Sequence, residues 1–309
     1  METSRMNKPI PAATFKNIRP PNKNYKYFED RQQHPFLPLA TTFELVNAVW
    51  MADFALLAYF EKRTIQETFD NTGLTADGFV MKFLSRGITQ CFVTHNNNFV
   101  VVSVRGTEID NLWGAIVDWS RNFQMRPKPD DSGGLVHEGF MKDVAEVWND
   151  SGSERGLKSY LQPLLAGSRR TLWITGHSLG AAVATLVAER AVRDAGFAVR
   201  GVYTFGSPRV GDIKFKEYYE KRGLSAKTFR VVYDIDVAQR LFPDAAYTHV
   251  GQFVFIDAAG QLHTNLPEPP TEDFEIPRGF PANADRLIIP ALIADHAPIY
   301  YASHIWNNQ

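Results

Sequence analysis

An α/β architecture, a mostly parallel central sheet with helices on both faces, is what this sequence predicts, and three observations predict it. From Ile88 onward, short apolar runs alternate with segments of helical period, the pattern of successive β-α-β units. Gly176-His177-Ser178-Leu179-Gly180 stands between the apolar run Thr171–Thr175 and the helical stretch Leu179–Ala195, so a strand turns sharply into a helix around a serine. Two acids, Asp234 and Asp236, follow directly on the apolar run Phe229–Tyr233. In an open parallel sheet that is the carboxyl edge, where functional groups gather.

Taken in order, residues 1–40 carry Pro9, Pro11, Pro20, Pro21, Pro35 and Pro38 without periodicity and read as an extended N-terminal arm, loose or laid over the surface. Residues 41–309 read as one domain, because no repeat and no linker interrupts them. Phe43–Phe60 has helical spacing, with Thr41 or Thr42 as its candidate cap. Ile88–Thr94 and Phe99–Val104 read as strands joined through His95-Asn96-Asn97-Asn98, since asparagine accepts the backbone of a tight turn. Gly139–Asn149 and Leu157–Leu165 read as helices before the serine turn. After it come strand Val199–Phe205, helix Asp212–Lys221, and strands Phe229–Tyr233 and Gly251–Ile256. Residues 258–283 hold Pro267, Pro269, Pro270, Pro277 and Pro281 and read as an inserted loop. Leu287–Ala294 is then a short apolar segment, and Tyr300–Trp306 closes the domain.

The chain is 309 residues long with 44% hydrophobic and 22% charged residues, ordinary for a globular enzyme with a full core. A net charge of −1 favours neither nucleic acid nor an anionic membrane through bulk charge. Cys91 stands alone, which excludes an intramolecular disulfide, and its apolar setting reads as a buried strand position. Met1–Pro21 has no apolar core of a secretory signal, and the longest apolar stretch, Phe54–Phe60, is far too short to span a bilayer. A soluble cytoplasmic protein is the expectation, the alternative being a secreted one whose leader is absent from the chain.

G-x-S-x-G between strand and helix is the nucleophile elbow of α/β-hydrolases. Side chains at its two glycines would collide with neighbouring backbone, and the strained turn lifts the Ser178 hydroxyl over the sheet edge. Serine attacks at neutral pH only when an imidazole takes its proton and a carboxylate holds that imidazole. In this fold acid and histidine follow the serine in that order. Position alone leaves Asp234 or Asp236 as the acid, and His249, His263, His296 and His304 as bases. The backbone N–H of Leu179, directly after the nucleophile, is a candidate oxyanion donor.

Further stretches carry a resemblance. Val100–Thr107 ends in Arg-Gly-Thr; Val136-His137-Glu138-Gly139-Phe140 follows; Thr204–Asp212 reads TFGSPRVGD; and Arg230–Asp236 and Asp295–Tyr300 read RVVYDID and DHAPIY. With the elbow, these resemble the class 3 (fungal-type) lipases of the α/β-hydrolase superfamily, in family order from about residue 90 to 301. The resemblance implies Ser178 as nucleophile, Asp236 as orienting acid and His296 as base. It also implies Thr107, through amide and hydroxyl, as the second oxyanion group. Tyr233 replaces the family's asparagine and Ala238 a proline near the acid, so Asp234 stays as the alternative there. His249 falls in a strand motif, His137 and His177 occupy motif positions that are not catalytic in the family, and His263 and His304 read as solvated or packed.

Ile109, Leu112, Trp113, Ile116 and Val117 share one face of a helix. The family places a mobile lid there, so these residues are expected to meet substrate and the lipid–water interface; a helix packed permanently on the core is the alternative. Together the features imply a carboxylic ester hydrolase acting on lipid-like acyl esters through an acyl-enzyme. No histidine-carboxylate cluster has the spacing of a metal site, so neither metal nor cofactor is implied. The same machinery would serve a phospholipase A1, a feruloyl-type esterase or a short-chain esterase. The family also contains non-catalytic scaffolds, from which this chain is set apart by carrying every triad element.

Overall fold

The computed structural model describes residues 6–106, 127–242, 246–268 and 290–309. The chain opens with α1 (Phe15–Ile18), α2 (Leu45–Leu57) and α3 (Lys62–Asn71), then strands β1 (Val80–Arg86), β2 (Thr89–His95) and β3 (Phe99–Val104). A small ribbon, β4 (Pro127–Pro129) and β5 (Leu135–His137), leads into α4 (Glu138–Trp148) and α5 (Leu157–Leu165). Then come β6 (Thr171–His177), α6 (Leu179–Ala195), β7 (Val199–Phe205), α7 (Ile213–Lys221), β8 (Thr228–Tyr233), β9 (Gln252–Ile256) and β10 (Leu262–His263). Helices α8 (Ala291–Ala294) and α9 (Pro298–Asn307) end the chain.

One sheet orders its strands β1-β2-β3-β6-β7-β8-β9-β10. It is parallel from β3 to β9 and antiparallel at both edges. This is the mostly parallel sheet covered by helices on both faces that the sequence predicts. In β3, Val100, Val102 and Val104 point to a core shared with α4, α5 and α6, while Phe99 and Val101 point to a core shared with α2 and α9. That period of two sorts a continuous apolar run onto both covered faces. The register pairs Val104 with Gly176 and Phe205 with His177, so the carboxyl ends of β3, β6 and β7 end level with one another.

Helix α2 is buried almost all round, including Asn47 and Asp53. The Asn47 amide exchanges two hydrogen bonds with the Leu37 backbone, at 2.7 and 3.0 Å. The Asp53 carboxylate accepts from the Phe28 N–H at 2.6 Å and from the Tyr25 hydroxyl at 2.7 Å. All three partner residues, Tyr25, Phe28 and Leu37, lie in the proline-rich stretch read as an arm, and Tyr27, Phe28 and Phe36 of that stretch are themselves in the core. The N-cap of α2 is Glu44 without a side-chain capping bond, not Thr41 or Thr42; Thr42 instead hydrogen-bonds the Glu44 carboxylate at 3.1 Å. Helix α3 and strand β1 leave no periodic signal in the sequence. Each is peripheral, α3 burying only Ile65 and Phe69 and β1 only Leu84, too few points to establish a period. Part of the expected inserted loop forms β10, which pairs with Ile256 and Phe255 of β9; residues 269–289 lie outside the described residues. Among the described residues no helix is long and apolar enough to cross a membrane.

Phe28 packs against Trp50 and Phe54 at ring-centroid distances of 5.4 and 4.8 Å. Phe28→Ala is therefore expected to cost about 3 kcal/mol as a large buried cavity, lowering the melting temperature by roughly 5–10 °C. A melting temperature unchanged in differential scanning calorimetry would show that the stretch merely overlies the core.

Candidate active site

Strand β6 delivers the chain to Ser178, whose backbone stands at φ +60°, ψ −130°. A side chain costs energy there, and the surroundings hold the residue in place. The Ser178 N–H donates to the Phe205 carbonyl at 3.0 Å, and the Ser178 carbonyl accepts from Ala181 at 2.9 Å to open α6. A methyl group at Gly176 would collide with the Gly180 carbonyl, and one at Gly180 with the Val104 carbonyl. The two glycines thus let strand, turn and helix close on one another and on the end of β3.

Strand β8 and the start of α9 bring the partners. His296 Nε2 lies 2.7 Å from Ser178 Oγ, and Nδ1 lies 2.9 and 3.0 Å from the two oxygens of Asp236. Asp236 and His296 are fully buried, and Ser178 nearly so. The arrangement assigns Nδ1–H as donor to the carboxylate and leaves Nε2 to accept from the serine hydroxyl. Asp236 Oδ1 also accepts from the Ala238 N–H at 2.7 Å, and Oδ2 accepts from the Tyr301 hydroxyl. Tyr301 in turn accepts from the Tyr233 N–H at 3.1 Å. A buried carboxylate is costly unless its lone pairs are filled, and these donors fill them. Gly206 lies beneath the pair: a side chain there would come within 2.6 Å of Asp236 Oδ2 and 2.9 Å of His296 Nδ1. Asp234, the alternative acid, is half-buried at φ +38° with its N–H donating to the Ile256 carbonyl at 2.8 Å. Both carboxylate oxygens facing His296 belong to Asp236.

Two residues not anticipated from sequence hold His296 from behind. His177 Nε2–H donates to the His296 carbonyl at 2.7 Å, and His177 Nδ1 accepts from the Tyr59 hydroxyl at 2.7 Å. Burial, and then the neighbouring His296, push the His177 pKa well below the usual imidazole range. It therefore stays neutral, one nitrogen donating and the other accepting. No local signal points to Tyr59, which is 118 residues away in sequence from His177. Asp295 is a contrasting neighbour. It accepts from the Ile235 backbone, yet burial, with Asp234 and Asp236 adding to it, raises its pKa to about 7. Among the described residues its Oδ2 has no hydrogen-bond partner.

Leu179 is the first residue of α6 and half-buried. Thr107 and the stripe Ile109, Leu112, Trp113, Ile116 and Val117 lie outside the described residues. The remaining histidines have other partners. His249 bonds the Gln239 carbonyl at 2.9 Å, His263 bonds Asp257 at 2.8 Å, and His137 caps α4 by accepting from Phe140. His304 packs on Tyr233. Cys91 is buried, which pushes its thiol up to about 12. Among the described residues no group of three or more His, Cys, Asp or Glu side chains is placed to hold a metal ion.

The sequence model of the class 3 lipase family matches residues 101–245. A secreted mono- and diacylglycerol lipase of Fusarium solani is 33% identical, over 51% of this chain and 44% of its own length. A rice phospholipase A1 is 27% identical, over 56% of this chain and 46% of its own. The chain thus spans less than half the length of these relatives. A solved triacylglycerol lipase whose catalytic centre is described as a serine-protease triad superposes with a TM-score of 0.58 at 25% identity, covering 72% of this chain and 84% of that one. The Rhizomucor miehei lipase shares the fold with a TM-score of 0.57 at 24% identity, over 81% of this chain and 92% of its own.

The Asp295 carboxyl makes stability depend on pH in a stated direction. Its folded pKa of about 7 exceeds the unfolded value of about 3.9, so between those pH values the folded state holds the extra proton. Its contribution therefore becomes less favourable as pH rises through that window. Asp295→Asn keeps the acceptor for Ile235 and removes the charge. Its melting temperature relative to the parent should climb steadily from pH 4 to pH 8; a pH-independent difference would contradict the assignment.

Proposed function

We propose that this chain, whose residues 101–245 match the class 3 lipase family model, is a serine carboxylic ester hydrolase of that type acting on lipid-like acyl esters. The observation that carries this reading is the hydrogen-bonded sequence Ser178 Oγ, His296 Nε2 and Nδ1, Asp236 at a strained elbow. Ser178 Oγ attacks the ester carbonyl carbon while His296 Nε2 takes its proton, and Asp236 stabilises the imidazolium that results. The oxyanion receives the Leu179 N–H at the start of the 17-residue helix α6, whose dipole favours negative charge at that end. Thr107 supplies the second donor. His296 then returns the proton to the leaving alcohol, and in a second half-reaction activates water to release the fatty acid. Residues 108–119 act as the lid, with Ile109, Leu112, Trp113, Ile116 and Val117 as its lipid-facing side. The relatives named as mono- and diacylglycerol lipase and as phospholipase A1 support acylglycerol-type substrates with or without a phosphorylated head group.

Ser178→Ala is expected to abolish labelling by an organophosphonate and to reduce ester hydrolysis about 10³-fold or more. Labelling retained at another residue would refute the nucleophile. For the acid, Asp236→Asn should lower kcat on the order of 10⁴-fold by favouring the wrong imidazole tautomer, and Asp234→Asn far less. The reverse order in steady-state kinetics would transfer the role to Asp234.

A further inference from the structure

Helix α9 begins just after His296 and carries, in its first turn, the Tyr301 hydroxyl that donates to Asp236. Every residue from Pro298 to Trp306 is buried, so the helix needs cover on the side away from α2. Part of that cover comes from the other end of the chain. The Tyr300 hydroxyl donates to the Pro11 carbonyl at 2.8 Å, and the Trp306 Nε1–H to the Met6 carbonyl at 3.4 Å. The Lys8 N–H donates to Asn307 Oδ1 at 2.7 Å, and Asn307 Nδ2 donates back to the Lys8 carbonyl at 3.0 Å. Residues 6–11 thus run along α9 and grip it at both ends.

The Lys8 side chain bolts this grip to the core. Lys8 is only 7% exposed. Its ammonium donates to the Lys26 carbonyl at 2.6 Å and stands 3.8 Å from the Tyr25 ring centroid and 4.1 Å from that of Trp306. Burial raises the pKa of Asp53 on α2, and the Lys8 charge is the strongest influence opposing that rise. A carboxylate, a carbonyl and two aromatic faces together stand in for the water the ammonium has lost. The cage therefore ties the N-terminal residues, Tyr25-Lys26, α2 and α9 to one another. A 10-residue helix is a stiff rod about 15 Å long, so holding its far end sets the direction of the end beside His296. We propose that Lys8 is a positioning residue for the triad: seated in this cage, it fixes the direction of α9 and so keeps His296 aligned between Ser178 and Asp236. The effect on turnover rests on the esterase reading above; the effect on His296 itself does not.

Lys8→Met keeps the length of the side chain and removes the ammonium. On a soluble short-chain ester it should lower kcat about tenfold with KM unchanged, short of the roughly 10²-fold loss from a full 1 Å misplacement. The loss is partial because Asn308, just past the helix, is held separately by Gly260 and Leu262. A second reading needs no substrate. The His296 Nδ1–H gives a far-downfield proton NMR resonance, assigned by its absence in His296→Ala, and its exchange with water should speed about tenfold in Lys8→Met as the helix opens locally. The resonance of His249, bonded to the Gln239 carbonyl, should stay unchanged. Asn307→Leu breaks the grip from the helix side, should act in the same direction, and carries both readings if Lys8→Met does not fold. Phe28→Ala is the control: its ring lies on Trp50, Phe54 and Phe69 of α2 and α3, so it should lower the melting temperature while kcat and the His296 resonance hold. All readings are taken well below the lowest melting temperature. If the parent hydrolyses no ester while Lys8→Met still speeds the exchange, the esterase reading fails and the positioning role stands. The role is overturned if the His296 resonance does not respond to Lys8→Met or Asn307→Leu, if kcat of an active parent is unchanged in both, or if Phe28→Ala moves both readings as far.

Discussion

The backbone of Ser178 runs at φ +60°, ψ −130°, a region that a residue with a side chain occupies only when its surroundings leave no alternative. Those surroundings are the level ends of three strands. Val104 of β3 closes against Gly180, Phe205 of β7 accepts the Ser178 N–H, and β6 itself supplies Gly176. The turn is therefore a property of the parallel sheet and of two absent side chains together. Every other group in the site is placed relative to the hydroxyl that this turn lifts over the sheet edge.

Around that hydroxyl the problem is electrostatic. A carboxylate and an imidazole sit together out of contact with water, where an unpaired charge is costly. Asp236 receives donors from His296, Ala238 and Tyr301, which leaves its charge satisfied and its orientation determined. His296 is held at the other end by its own carbonyl, through His177 to Tyr59. Neutral His177 is a rigid spacer in this arrangement, because burial keeps it from acquiring a second donor. Asp295 is where the compensation is incomplete: adjacent to His296, it shares its surroundings with two other carboxyl groups and keeps one oxygen without a partner among the described residues.

Legibility followed how local the physical signal was. The elbow and the alternation of strands and helices could be read because both are short-range: glycines at two offsets from a serine, and apolar periods of two and 3.6 residues. The edge elements α3 and β1 bury one or two side chains each and leave no such period. The proline-rich stretch ahead of residue 40 has no period either. Yet its aromatic side chains meet α2, and its backbone satisfies Asn47 and Asp53. A polar residue inside an otherwise apolar helix was the trace of that contact in the sequence, but nothing local says which distant backbone answers it.

By itself the sequence determined the fold class, the serine turn and the short set of acids and histidines able to serve it, since each depends on residues close together in the chain. Which carboxylate faces His296 was a tertiary decision. Asp234 and Asp236 are two residues apart on one loop, and only the path of that loop over Gly206 and beneath Tyr301 turns Asp236 inward. The pairing of His177 with Tyr59, and the seat of Lys8 between Tyr25 and Trp306, were likewise decided in three dimensions. Contacts between residues tens to more than a hundred positions apart depend on how sheet and helices stack, and no spacing within one element encodes them.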